Sequence, residues 1–213
     1  YAESFAVGAV NQAQTIAFFS ARGPSACDDT YFPELVAPGV NVSTTDLTGD
    51  YASVNGTSFA AAHVSGAMGL LLNAEPSLSV EEVESALTAS AHDLGVLGPD
   101  NDYGYGLLDV MAAFTFLPPI AKNDIVTTPR NQPVTINILA NDIATNGTLD
   151  AGSVVLRLES DTVRGATVVN SSGVITYTPE GAGGPDYFYY TVKDAEGRTS
   201  NEATVRINRI RAN

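Results

Sequence analysis

The stretch Asn55-Gly56-Thr57-Ser58-Phe59-Ala60-Ala61-Ala62-His63-Val64-Ser65-Gly66 reads as a tight turn running into an apolar helix, with a serine at the junction. A glycine ahead of a small polar pair permits a backbone turn that other residues resist. The apolar run that follows predicts a helix from about Ser58 to Asn73. Small residues at 60, 61, 62, 65 and 66 would let that helix approach a sheet closely. A serine at such a position is most often an N-cap. It also sits among free backbone N–H groups at a positive dipole end. There a hydroxyl could attack a carbonyl while its own N–H held the developing oxyanion. The stretch alone leaves both readings open.

Working outward, Phe5–Val10 predicts a buried strand, and Glu34–Val36 leads into the break Ala37-Pro38-Gly39. Ser79-Val80-Glu81-Glu82 is a capping box, so a second helix is expected from Ser79 to about Ala89. A third is expected from Leu108 to Phe116, after the turn Tyr103-Gly104-Tyr105-Gly106. Beyond Pro118-Pro119 the helical period stops. Seven short alternating runs follow: Asp124–Thr128, Val134–Ile138, Val154–Leu158, Thr167–Val169, Val174–Thr178, Tyr187–Lys193 and Ala203–Ile207. Turn signals such as Asn146-Gly147, Ser172-Gly173, Gly181–Pro185 and Glu196-Gly197 separate them, which is the grammar of a β-sandwich. The domain division expected is therefore 1–117, a linker at 118–122, and a module at 123–213.

Of the 213 residues, 44% are hydrophobic and 16% charged, as in a packed globular chain. The net charge of −14 is uneven. Residues 1–117 carry fourteen acids against Arg22 alone, and residues 118–213 carry ten acids against nine bases. Such acidity repels phosphate backbones, so nucleic acid is not an expected partner. The longest apolar stretch, Phe59–Leu72, is interrupted by His63 and Ser65. It falls short of the ~20 residues of a membrane span and reads as a buried helix. The opening Tyr1-Ala2-Glu3-Ser4 lacks the basic start and apolar core of a secretory leader. Cys27, the single cysteine, has no partner for a disulfide and no adjacent histidine or cation to activate it.

The quoted stretch resembles the serine signature of the subtilisin-like proteases (subtilases, peptidase family S8). Gly56, Thr57, Ser58, Phe59, Ala60, His63, Val64 and Gly66 match in order. Three further pieces resemble that family: Phe19-Ser20-Ala21-Arg22-Gly23-Pro24, Pro33-Glu34-Leu35-Val36-Ala37-Pro38-Gly39, and Tyr103-Gly104-Tyr105-Gly106-Leu107-Leu108-Asp109-Val110. Two positions depart from the pattern: Ala62 replaces a common proline, and Glu34 a common aspartate near which some relatives bind a cation. The resemblance implies an α/β fold, the C-terminal portion of a three-layer subtilisin-like domain with a parallel sheet. It implies Ser58 as catalytic nucleophile and oxyanion donor, with Asn55, Gly56 and Thr57 lining the substrate cleft. His63 is then structural and His92 a helix-end residue, since the family's catalytic histidine precedes the serine. The resemblance further implies that the Asp and His of the triad lie in a missing N-terminal half, so that this chain alone is inactive or nearly so.

Residues 120–213 resemble bacterial cadherin-like and immunoglobulin-like repeats. The matching pieces are Ala121-Lys122-Asn123-Asp124, Val134–Asp142 and Asp186–Asp194. An all-β Ig-like sandwich is implied. Asp124, Asn141, Asp142 and Asp194 read first as turn caps. Their oxygens could also serve calcium, which is left possible but unassigned; no metal site is predicted and no cofactor is required. The whole reads as a secreted serine endopeptidase acting on proteins or peptides. A non-catalytic adhesion protein built on a decayed protease half is the alternative.

Overall fold

The computed structural model describes residues 4–27, 29–159, 165–169, 172–180 and 184–210. The opening residues 1–3 and part of the expected 181–185 turn lie outside them. The chain divides into two compact units, Tyr1–Phe116 and Leu117–Asn213.

In the first unit, β1 (Val7–Val10) and β2 (Leu35–Pro38) pair in parallel, with Val7 opposite Leu35 and Val10 opposite Pro38. A bridge from Val36 to Leu107, and from Leu107 to His92, extends this sheet. β3 (Val42–Thr45) and β4 (Tyr51–Val54) form an antiparallel hairpin that the sequence reading missed. Asp46 builds its turn by accepting the N–H groups of Thr48 and Asp50 and the Thr48 hydroxyl.

Helix α1 (Thr57–Ala74) lies on β1 and β2. It buries Ala60, Val64, Ala67 and Leu71, a stripe at helical spacing. The expectation of a wholly buried helix is corrected: Leu70 and Leu72 are exposed. α2 (Val80–Ala89) starts at the predicted capping box, with Ser79 and Glu82 each accepting the other's backbone N–H. α3 (Val110–Phe116) begins two residues later than expected, because Asp109 caps it through the Ala112 N–H at 2.9 Å.

The second unit is all β. The strands β5 (Asp124–Pro129), β6 (Val134–Asn137), β7 (Leu149–Leu158), β8 (Gly165–Val169), β9 (Val174–Pro179), β10 (Asp186–Asp194) and β11 (Ala203–Ile210) form two sheets. Their orders are β5-β11-β10-β7 and β6-β9-β8. β5 and β11 run parallel, and the other pairs antiparallel. One core joins the two sheets. Ile136, Ile175 and Tyr177 meet Phe188, Tyr190, Val205 and Ile207 there. Strict alternation along β10 puts Phe188, Tyr190 and Val192 inside and leaves Tyr187, Tyr189 and Thr191 half-buried.

The stretch 118–122, expected as a linker, is packed. Ile120 bridges to Ile143, and Ile120 and Ala121 are buried. The Asn201 side-chain amide both donates to and accepts from the Ala121 backbone. Two prolines mark a break in helix grammar, but the apolar residues flanking them belong to the sandwich.

Candidate active site around Ser58

The serine is positioned by backbone. The N–H of Gly39, just past β2, donates to Val10 O at 3.0 Å, and the N–H of Gly56 donates to Gly39 O at 2.9 Å. These bonds fasten the approach to α1 onto the carboxyl ends of both parallel strands. Gly39 has no room for a side chain: a Cβ would lie 2.6 Å from Ala9 Cβ and 2.8 Å from Gly56 O. Gly56 has φ 157° and ψ 151°, a region that essentially only glycine occupies. A Cβ there would lie 3.1 Å from Ser58 Oγ.

The N-cap of α1 is Gly56 itself, and no side chain caps the helix. Ser58 therefore stands within the first turn and is not an N-cap. It is exposed, and its neighbours Gly56 and Thr57 are half-buried. The first turn carries no acidic residue. The helix itself thus brings no carboxylate to that end, which suits a site where negative charge develops on a reacting oxygen.

Asn55, expected to line the substrate cleft, is exposed. Its Oδ1 accepts the Asn41 N–H at 2.7 Å, so the side chain braces the loop after β2. Asn41 holds φ 55°, a left-handed conformation that asparagine tolerates. Beside this brace lies a depression of about 330 Å³, lined by Ile16, Phe18, Phe19, Val40, Asn41 and Asn55 among others. Phe18 and Phe19 meet edge to face, with centroids 5.3 Å apart, and Phe18 is 95% exposed. The sequence reading passed over this pair. The signal available was two adjacent aromatics closing the short apolar run Ile16-Ala17-Phe18-Phe19.

The structure brings neither histidine to the serine by a hydrogen bond among the described residues. His63 Nδ1 lies 2.8 Å from Phe59 O, one turn back on its own helix. His92 exchanges backbone bonds with Leu107 at 2.8 Å. Cys27 is exposed, and Arg22, which shares a depression with it, pairs with Asp102 at 3.2 Å. Glu34 spends its Oε2 on the Ala6 N–H at 2.6 Å. Among the described residues no cluster of three or more His, Cys, Asp or Glu side chains could hold a metal ion. No helix of the described residues is long and apolar enough to cross a membrane. In the second unit, Asp142 Oδ1 accepts the Lys122 N–H at 2.7 Å, and Asn141 Nδ2 donates to Asn123 O. Asp194 Oδ1 accepts the N–H groups of Glu196 and Arg198.

Comparison with known proteins agrees with the division into two parts. Residues 1–106 match the model of the Subtilase family, and residues 117–208 match that of the Bacterial Ig domain. The chain is 42% identical over 118 residues to Bacillopeptidase F of Bacillus subtilis (strain 168), covering 53% of this chain and 8% of that protein. It is 40% identical over 113 residues to Subtilisin DY of Bacillus licheniformis, covering 53% of this chain and 38% of that one. MycP1 from Mycobacterium smegmatis, a solved structure, is similar over 50% of this chain and 28% of its own, at 31% identity and TM-score 0.41. The chain thus spans well under half the length of these relatives. Its first 106 residues belong to the subtilase family, and residues 117–208 are a bacterial Ig domain.

Proposed function

We propose that this chain contributes the nucleophile of a serine endopeptidase, with Ser58 attacking the peptide carbonyl to form an acyl-enzyme that water then releases. The observation that carries this reading is the exposed Ser58 in an uncapped first helical turn, anchored by Gly39 and Gly56 to the ends of two parallel strands. The Ser58 N–H is one oxyanion donor. Asn55, Gly56 and Thr57 border the leaving-group side of the cleft. The first unit is the C-terminal portion of a three-layer subtilisin-like domain. The base and its orienting aspartate come from a segment outside these 213 residues, since neither His63 nor His92 engages Ser58. The reaction requires no cofactor, and its substrates are proteins or peptides met outside the cell or at its surface. The Ig module is a spacer or adhesion unit.

A fluorophosphonate probe tests this. The 213-residue chain alone should label at or near background. The longer protein that includes the upstream segment should label at Ser58, and Ser58→Ala should abolish the label. Absence of labelling in a longer protein that carries both triad partners would favour the non-catalytic alternative.

A further inference from the structure

An asparagine followed by glycine can react with its own backbone. The glycine nitrogen, with no side chain to obstruct it, can reach the asparagine side-chain carbonyl carbon. The chain holds two such pairs, Asn55-Gly56 and Asn146-Gly147, and the fold treats them oppositely. At the first pair both reacting groups are engaged. The Gly56 N–H donates to Gly39 O at 2.9 Å, and Asn55 Oδ1 accepts the Asn41 N–H at 2.7 Å. Ring closure there would break both bonds. At the second pair both residues are exposed. The Gly147 N–H has no hydrogen-bond partner among the described residues, and a Cβ on Gly147 would meet nothing within 4 Å. Asn146 is held only by Nδ2, which donates to Glu196 Oε1 at 2.8 Å. That bond restrains the nitrogen that would leave and keeps the carbonyl carbon open to attack. The flanking residues are fixed. The Thr145 hydroxyl donates to Leu117 O, and Thr148 O accepts the Ala195 N–H at 3.0 Å. The pair is thus an exposed arch between two anchors, with Gly147 at φ 68°.

We propose that Asn146 is a self-modification site, deamidating through Gly147 in the folded module while Asn55 is protected, and that the product loosens the tie between the 145–148 loop and the 194–198 turn. The Gly147 nitrogen gives its proton to solvent and bonds to Asn146 Cγ. The Cγ–Nδ2 bond breaks, and the nitrogen takes up a proton and leaves as ammonia. The cyclic imide that remains is opened by water at either of its carbonyls, giving aspartate or isoaspartate. In sum, one amide and one water become one carboxylic acid and one ammonia, and nothing is oxidised or reduced. The new carboxylate has no N–H for Glu196 and carries the same sign of charge. Glu196 Oε2 lies 3.3 Å from Arg198 Nε, but that guanidinium is already committed to Asp194 at 2.7 Å. The tie across the two loops therefore loses a donor and gains a repulsion. One net hydrogen bond corresponds to a factor of about five in an equilibrium, so the two bonds at the first pair slow its reaction by a factor of about twenty.

The test is peptide mapping by mass spectrometry on the whole 213-residue chain held in mildly alkaline buffer, following the amide-to-acid mass gain at both asparagines. Asn146 should convert about twentyfold faster than Asn55 in the folded chain. In concentrated urea, where both pairs are released, the two rates should converge. Conversion of Asn146 no faster than Asn55 in the folded chain would overturn the proposal, and so would a rate ratio that urea leaves unchanged. Asn146→Asp reproduces one product directly. In that variant the Ala195 amide should exchange with solvent roughly fivefold faster, and adding Glu196→Gln, which restores a donor and removes the repulsion, should bring the exchange back. An Ala195 amide that exchanges at the parent rate in Asn146→Asp would overturn the loosening. Should that variant not fold, exchange at Ala195 in the converted fraction of the parent chain decides.

Discussion

Asn55 Oδ1 accepts the Asn41 N–H at 2.7 Å, so the residue three before the proposed nucleophile braces the loop behind it. One hydrogen bond of this kind contributes about 1 kcal/mol. Asn55→Ala should therefore make the Asn41 amide exchange with solvent roughly fivefold faster. Native-state hydrogen exchange checks this, with amides of β1 as the unaffected reference.

Two glycine substitutions should act in opposite directions. Gly39→Ala forces a Cβ against Ala9 and the Gly56 carbonyl, and should cost about 1–3 kcal/mol as overpacking. Gly66→Ala places a methyl in open space on α1. It should stabilise by about 0.5–1 kcal/mol through helix propensity. Urea denaturation of both variants beside the parent gives the two signs.

The capping box at α2 predicts a cost of about 1 kcal/mol for Ser79→Ala. Glu82 keeps the backbone N–H of residue 79 in that variant and loses the hydroxyl. Its carboxyl is now held below the ordinary glutamate value, chiefly by the Ser79 N–H and then by the Ser79 hydroxyl. An upward shift of the Glu82 titration should therefore accompany the loss of stability.

Arg209 and Asp186 form an ion pair at 3.0 Å with side chains 1% and 0% exposed. Arg209 also donates to the carbonyls of Glu180 and Gly184. Arg209→Met removes the buried guanidinium that faces the Asp186 carboxylate, which should cost the module about 3–5 kcal/mol. Calorimetry should show the Ig transition lowered or absent.

Acid should weaken the 194–198 turn. Burial works against the Asp194 charge, but the Arg198 N–H, its guanidinium and the Glu196 N–H outweigh it and hold the carboxyl below the usual value. The stability this contributes is present above the unfolded value of 3.8 and is lost as pH falls through the folded one. In Arg198→Gln the Asp194 carboxyl should titrate higher, measurable by NMR.

The seven strands of the module were legible because turn signals separate short alternating apolar runs in the sequence. The capping box at Ser79 was legible because its chemistry is local. The hairpin Val42–Thr45/Tyr51–Val54 was not. Its residues are mostly exposed or half-buried, so no apolar period marks it. β7 begins at Leu149, five residues before the predicted start, because Gly152 and Ser153 interrupt its apolar pattern. At the candidate site, the place of Ser58 at a helix start was readable from the glycine turn and the apolar run that follow each other there. The turning of Asn55 toward Asn41 was not, because it depends on a φ 55° backbone that thirteen intervening residues bring alongside.

Gly39 and Gly56 meet through main-chain atoms, with no side chain between them. The location of the proposed nucleophile is thus inherited from the backbone, independently of the surface it faces. Residues such as Phe18 and Phe19 can be exchanged during divergence to change what the neighbouring depression admits, while the serine keeps its coordinates. Placement and recognition are in this way separately evolvable.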